Sequence, residues 1–237
     1  MVENRQPERF TLYKEHPKTC APDDFWGQVK RTVNGAPVSD DQITMIAEAV
    51  SSGLDLRQND LLLDLCCGNG ALSRLFFEKC RGGLGVDFSE KLVEIAKVNF
   101  ERLPDQVYLL DDVVEYVRTG MNPDRFTKLL CYGSFAYLEA HRAEELLQLC
   151  FERYCNASVF YIGNLPDKDQ METFFTDRTY SEGVETEADS AIGIWRTPDE
   201  FRTLAERAGW SVSFSTMPED FYAARYRYDV VLTRGSR

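Results

Sequence analysis

Between an apolar run and a helical pattern lies the segment Asp64-Leu65-Cys66-Cys67-Gly68-Asn69-Gly70. Glycines where a buried strand turns sharply into a helix let the backbone approach a ligand closely, and the free N–H groups that open the helix face a polar or anionic group there. Asp87 ends the next apolar run, at the spacing of about 20 residues where a carboxylate accepts hydrogen bonds from both hydroxyls of a ribose. A glycine-rich turn alone is as often steric as ligand-binding, but the two features together point to a nucleoside cofactor. Three details separate the pattern from a nicotinamide site. Ser73 stands where a third glycine would complete GxGxxG, an acid (Asp64) lies inside the strand, and the last two strands of the chain read as an antiparallel pair.

The elements that position these residues follow from hydrophobic periodicity. From Leu61 onward strands alternate with helices, the pattern of a parallel sheet covered on both faces. Strands are expected at Leu61–Cys66, Leu84–Asp87, Gln106–Leu110, Lys128–Tyr132 and Ser158–Ile162, with helices over Gly70–Lys79, from Ser89 to Leu103 and around Ala140–Tyr154. A capped helix opens at Thr197-Pro198 and stops at Gly209, and strands Ser211–Ser215 and Tyr226–Thr233 close the chain. Upstream, Asn34-Gly35 marks a turn, and Ile43, Ile46, Ala47 and Val50 recur at helical spacing behind Ser39-Asp40-Asp41, which can cap that helix. The expectation is an α/β fold: a doubly wound, mostly parallel sheet in a three-layer sandwich with a C-terminal antiparallel strand pair. Residues 1–57 read as an N-terminal helical cap and 58–237 as the main domain. Within it, residues 164–194 form a lid-like insertion holding eight acids against two bases.

Composition narrows the function. Hydrophobic residues make up 43% and charged residues 28% of the 237 positions, an ordinary globular balance. No run approaches the roughly 18 apolar residues of a membrane span. The N-terminal stretch to Thr19 mixes acids and bases and does not read as a secretion signal, so the default location is cytoplasmic. Seven cysteines without paired ligand spacing read as reduced thiols, and no metal site is expected. The net charge of −12 repels a phosphate backbone and argues against nucleic acid as a partner.

These motifs resemble the class I S-adenosylmethionine-dependent methyltransferases. Asp64-Leu65-Cys66-Cys67-Gly68-Asn69-Gly70 is similar to that family's first motif, Asp87 to its ribose-binding acid, and Leu110-Asp111-Asp112-Val113 to the acid and apolar pair after the third strand. The segment from Thr197 to Phe214 resembles its late helix and sixth strand. The resemblance covers roughly residues 58–163 and 196–234 and implies the Rossmann-like methyltransferase fold with S-adenosylmethionine as cofactor. It implies Gly68 and Gly70 against the methionine portion, Asp64 near its ammonium and Asp87 at the ribose, with Cys66, Asn69 and Phe88 also among the cofactor-binding residues. Asp112, or Asp111 one residue earlier, would address the adenine amino group, with Val113 beneath the ring. Tyr132, Gly133 and Ser134 would line the cofactor toward the acceptor, and Trp26 and Arg31 of the cap would fold over it, Arg31 toward the methionine carboxylate.

Methyl transfer from a sulfonium needs alignment and exclusion of water more than catalytic groups. For a hydroxyl acceptor the base candidates are Glu139, His141 and Asp167, each with a plainer reading: a helix-start acid, a solvated histidine and a turn residue. Phe135 and Tyr137, with Phe174, Phe175 and Tyr180 of the insertion, form either an acceptor pocket or the lid's own small core. The acid excess of the insertion hints at an amine-bearing acceptor. The expected function is methyl transfer to oxygen or nitrogen of a small metabolite or sugar-like acceptor. The alternatives are an NAD(P)-dependent oxidoreductase and a non-catalytic S-adenosylmethionine-binding module.

Overall fold

The computed structural model describes residues 8–176 and 178–235; Asp177 and the first seven residues, which entered the sequence reading, lie outside the described residues. The chain begins with helix α1 (Glu8–Glu15), the short helix α2 (Phe25–Gln28) and a hairpin of β1 (Thr32–Val33) with β2 (Ala36–Pro37). Asn34 (φ 52°) and Gly35 (φ 81°) both occupy the left-handed region that a two-residue hairpin turn requires. Helix α3 (Asp40–Gly53) then buries Ile43, Ile46, Ala47 and Val50, the periodic positions of its sequence. Ser39 precedes it without a side-chain cap bond.

Seven strands build the main sheet: β3 (Leu61–Leu65), β4 (Gly82–Asp87), β5 (Gln106–Leu110), β6 (Lys128–Tyr132), β7 (Val159–Pro166), β8 (Trp210–Ser215) and β9 (Arg227–Arg234). Their order is β5-β4-β3-β6-β7-β9-β8. The first five are parallel, while β9 runs antiparallel between β7 and β8. Chain order reverses between β3 and β6, so the C-terminal ends of those strands flank the crevice in which doubly wound sheets bind ligands.

Both faces are covered, and strand alternation sorts neighbours between them. Leu62 packs with Ile46 and Val50 of α3, Phe76 and Phe77 of α4 (Ala71–Phe77) and Ala96 of α5 (Glu90–Phe100). Leu63, one residue on, packs on the opposite face with Val114 and Val117 of α6 (Val113–Thr119), Leu146 and Leu147 of α7 (Ala140–Arg153) and Phe201 of α9 (Pro198–Arg207). Helix α9 starts in a full capping box between Thr197 and Glu200. Ser89 before α5 does not cap; its hydroxyl donates to the Tyr13 carbonyl (2.8 Å) and ties down the N-terminal segment.

Strand β7 runs two residues past Asn164, through a register shift between Ile162 and Leu165 where Asn164 takes φ 64°. Helix α8 (Met171–Phe175) follows, and Phe174, Ile192 and Trp195 bury one another with Phe175 beside them. The insertion's aromatics therefore pack into a small core that Trp195 and Tyr226, from outside residues 164–194, complete. Among the described residues no helix is long and apolar enough to cross a membrane.

Candidate functional site

The turn out of β3 bends through three left-handed residues, Cys66 (φ 65°), Gly68 (φ 58°) and Gly70 (φ 76°). A side chain on Gly70 would lie 2.7 Å from the Tyr108 ring, so packing as well as backbone conformation excludes one. The bend leaves two carboxylates buried beside each other, Asp64 at 4% and Asp87 at 5% exposure. Asp87 accepts from the Gly68 N–H (2.8 Å) and the Ser89 N–H (2.9 Å). The Ser73 hydroxyl donates to Asp64 (2.5 Å). Ser73, the departure from a third glycine, is fully buried and serves that carboxylate.

Burial dominates both titrations. It lifts Asp64 to about 7 against the bond from Ser73 and the attraction of Arg31, with Asp87 adding to the rise. Asp87 is lifted to about 6 by burial, opposed by its backbone bonds from Ser89, Gly68 and Phe88. Carboxyls this close to neutrality gain their charge when a cation or a hydroxyl pair arrives.

The N-terminal segment closes over this loop. The Asn69 carboxamide donates to the Phe25 carbonyl (2.7 Å) and to Gln28 Oε1 (2.8 Å), and its oxygen accepts from the Ala71 N–H (3.2 Å). Gln28 is fully buried and its amide holds the carbonyls of Ala21 and Pro22 (2.9 and 3.1 Å). Asn69 thus reaches the cavity wall while its polar atoms hold the cap. Val29 and Arg31 follow on the cavity side, with the Arg31 guanidinium 5.7 Å from the Trp26 ring centre and 5.4 Å from that of Tyr132.

Together these parts enclose about 1110 Å³ of empty space, measured out to an open mouth at the C-terminal ends of β3, β4 and β6. Of the sequence candidates, Asp64, Cys66, Gly68, Asn69, Asp87, Phe88, Asp112, Val113, Tyr132, Gly133, Ser134 and Arg31 line it. Gly70, Trp26 and Asp111 are not among the lining residues, so of the two neighbouring aspartates it is Asp112 that reaches the cavity. One Asp112 oxygen caps α6 by accepting from the N–H groups of Val114 (3.0 Å) and Glu115 (3.1 Å), and it also pairs with Arg142.

The base candidates lie outside this wall. Glu139 borders an adjoining hollow that shares Tyr137, Leu138, Arg142 and Asp189 with the cavity. His141 stands 3.4 Å from Glu139 with its side chain 72% exposed. The Asp167 carboxylate accepts from the Asp169 N–H (3.0 Å), closing its own turn. Phe135 is fully buried against Phe201 and only Tyr137 of the aromatic candidates reaches the cavity. Sequence reasoning missed Tyr13, Leu72, Leu92, Arg142 and Asp189 in the wall. Arg142 carried a signal, a basic residue one turn into a helix that follows the fourth parallel strand; the others carried none.

A family model described as a methyltransferase domain matches residues 62–154. Over 132 residues, 53% of this chain, the sequence is 37% identical to a 23S rRNA (uracil(1939)-C(5))-methyltransferase of Aliivibrio fischeri, and the match spans 27% of that relative's length. The fold is similar to a solved S-adenosylmethionine-dependent methyltransferase of Listeria monocytogenes (TM-score 0.61, 14% identity, 82% of this chain and 99% of that one). It is also similar to the magnesium protoporphyrin IX methyltransferase of Synechocystis PCC 6803 solved with bound SAH (TM-score 0.59, 14% identity, 82% and 83%).

Proposed function

We propose that this chain, which belongs to the class I S-adenosylmethionine-dependent methyltransferase family, transfers the methyl group to oxygen or nitrogen of a small molecule. S-adenosylmethionine is the cofactor. The residues present fit it: Asp64 offers a buried carboxylate to an ammonium, Asp87 keeps lone pairs beyond its backbone bonds for two hydroxyls, and Asp112 with Val113 offers an acceptor beside an apolar surface. When bound, the sulfonium supplies an activated methyl carbon for in-line displacement.

What this chain adds is position and dryness. The Asn69 bonds hold Phe25 and Gln28 against the glycine turn, which keeps Val29 and Arg31 over the cavity. Tyr132, Gly133 and Ser134 at the end of β6 form the wall toward the acceptor, and Glu139 on the adjoining hollow is placed to take a hydroxyl proton from that side.

A small acceptor is favoured by one observation above the rest: four cavity-lining acids, Asp64, Asp87, Asp112 and Asp189, surround the site in a chain of net charge −12. An RNA backbone at this mouth meets that net negative charge, with Arg142 already paired to Asp112 and Arg31 the other cavity-lining base, instead of the array of lysines and arginines that neutralises successive phosphates. The rRNA methyltransferases that resemble this chain are matched over about a quarter of their length, so their substrate specificity does not transfer with the match.

The test is calorimetric titration with S-adenosylhomocysteine and NAD(H) in parallel, followed by methyl-transfer assays on metabolite pools and on ribosomal RNA. Micromolar binding of the first ligand alone, with label entering the small-molecule fraction, is expected. Label in RNA would overturn the acceptor reading, and NAD(H) binding would overturn the cofactor placement.

A further inference from the structure

The ends of β6 and β7 hold polar groups that nothing in the fold satisfies. Tyr132 is 5% exposed, lines the cavity, and has a hydroxyl with no hydrogen-bond partner among the described residues. The side-chain oxygen of Asn164 is also buried and unpartnered; as an acceptor it is matched by a donor and not by an anion, and the donor of that carboxamide is its Nδ2. The Arg31 guanidinium makes no ion pair or hydrogen bond among the described residues, although Arg31 lines the same cavity. Leaving such groups dry and unmatched costs stability unless a ligand completes them.

Gly133 is where the Asn164 carboxamide and the Arg31 guanidinium meet. It adopts φ +78°, and a methyl group placed on it would lie 3.6 Å from Asn164 Nδ2 and 3.7 Å from a terminal nitrogen of Arg31. The absent side chain therefore leaves a space flanked by two N–H donors, one of them cationic, with the ring of Tyr132 alongside. The turn that delivers Asn164 is fixed from behind: its N–H donates to Asp229 (2.6 Å), and Arg227 donates to its carbonyl. Arg227 also forms no ion pair among the described residues, and its charge and that of Arg31 both act on the half-buried Tyr222 hydroxyl. Arg31 attracts Asp64 and Arg227 attracts Asp229, but neither guanidinium is in hydrogen-bonded contact with a carboxylate among the described residues. Guanidinium groups left open in this way match carboxylate and phosphate oxygens.

We propose that Arg31, Asn164 and Tyr132 around Gly133 form an oxyanion subsite that holds a carboxylate or phosphate-ester group of the methyl acceptor. This rests on the methyltransferase reading of the same cavity and deepens it: the acceptor is a small anion, in place of the amine suggested by the acid-rich insertion. It also moves Arg31 from the cofactor's carboxylate to the acceptor.

The experiment uses protein with 13C,15N-labelled arginine, saturated with S-adenosylhomocysteine and titrated with inorganic phosphate, acetate and, as a neutral control, glycerol. The Arg31 side-chain N–H resonance, assigned by its loss in Arg31→Gln, is expected to shift saturably with an anion and not with glycerol. In Asn164→Ala the midpoint is expected to rise at least fivefold, while the S-adenosylhomocysteine affinity of Arg31→Gln stays within threefold of the parent. Phosphate saturating below acetate identifies a phosphate ester, and the reverse a carboxylate. No saturable shift with either anion overturns the subsite, as does a loss of S-adenosylhomocysteine affinity beyond threefold in Arg31→Gln, which returns that arginine to the cofactor. If the parent protein does not bind S-adenosylhomocysteine, the cofactor reading fails by itself, and the same anion titration of the free protein still decides the subsite.

Discussion

The two ends of the cavity differ in how far their polar groups are already paid for. At the β3–β4 end Asp87 holds two backbone N–H groups, Asp64 holds Ser73, and Asn69 spends all its polar capacity on the cap and the turn. At the β6–β7 end the Tyr132 hydroxyl and the Asn164 side-chain oxygen are buried without partners among the described residues. A satisfied network is fixed in shape before any ligand arrives, so ligand binding there loses little to ordering. An unsatisfied one is completed by the ligand and discriminates strongly against molecules that cannot complete it. The contrast supports the proposed division of the cavity, with the cofactor at the first end and the acceptor at the second.

The sharpest way to break that comparison is at Asp87. Replacing it with alanine removes the acceptor for the ribose hydroxyls and is expected to weaken S-adenosylhomocysteine binding by about 1.5–3 kcal/mol, the range for charge-assisted bonds. Calorimetry reads this as a loss of roughly tenfold to somewhat above a hundredfold. Because Asp87 also holds Gly68 and Ser89, a melting curve must accompany the titration, and Asp87→Asn, which retains one acceptor oxygen, provides an intermediate. Unchanged affinity in a folded variant would move the ribose away from this carboxylate.

The same end makes a pH prediction of opposite sign for folding and for binding. Burial lifts Asp64 to about 7 and Asp87 to about 6 in the fold, above the ordinary aspartate value of 3.8. Their protonated forms favour the fold, so this contribution is complete below about pH 4 and is lost as pH rises through the folded values. The free protein is therefore expected to lose melting temperature from pH 5 to pH 8 on account of these two groups. S-adenosylhomocysteine, which brings an ammonium, binds the ionised carboxylates, and its affinity is expected to rise by about tenfold between pH 6 and pH 8. Calorimetry near pH 6.5 in buffers of different ionisation enthalpy should register proton release. A pH-independent affinity would show that both carboxylates are already charged in the free protein.

The satisfied end was also the legible one. Asp64, Gly68 and Asp87 are brought together by local geometry, a turn and the end of the next strand, so their spacing in sequence carries their placement. Ser73 was visible as a departure from GxGxxG, but its bond to Asp64 depends on how α4 lies against β3. Asn69 looked like a loop residue for the cofactor; its partners Phe25 and Gln28 are more than forty positions away, and no periodicity links them. The alternation of strands and helices gave the sheet, yet α6 passed unnoticed because seven residues complete barely two turns. Least legible was the convergence on Gly133, which depends on the register of β6 against β7 and on the turn at Asn164. The aromatics of the insertion left two readings open, and Phe174 and Phe175 follow the plainer one, finding apolar surface in Trp195 and Ile192.

Two hydroxyl deletions sharpen the comparison with the smallest expected effects. Ser73 and Tyr132 both carry buried hydroxyls within a few residues of the cavity, one bonded to a carboxylate and one unbonded. Ser73→Ala removes a made bond and leaves Asp64 with one donor fewer, so a loss of about 1 kcal/mol in the free protein is expected. The loss should be larger at pH 8, where Asp64 is ionised, than at pH 5. Tyr132→Phe removes a group that is desolvated without return, and replacing an unsatisfied polar atom by apolar surface is neutral or stabilising, by up to about 1 kcal/mol. Urea denaturation of the two variants without ligand should therefore move the midpoint in different directions. A Tyr132→Phe midpoint falling as far as that of Ser73→Ala would mean that the tyrosine hydroxyl is satisfied in the free protein, and the contrast between the two ends of the cavity would go with it.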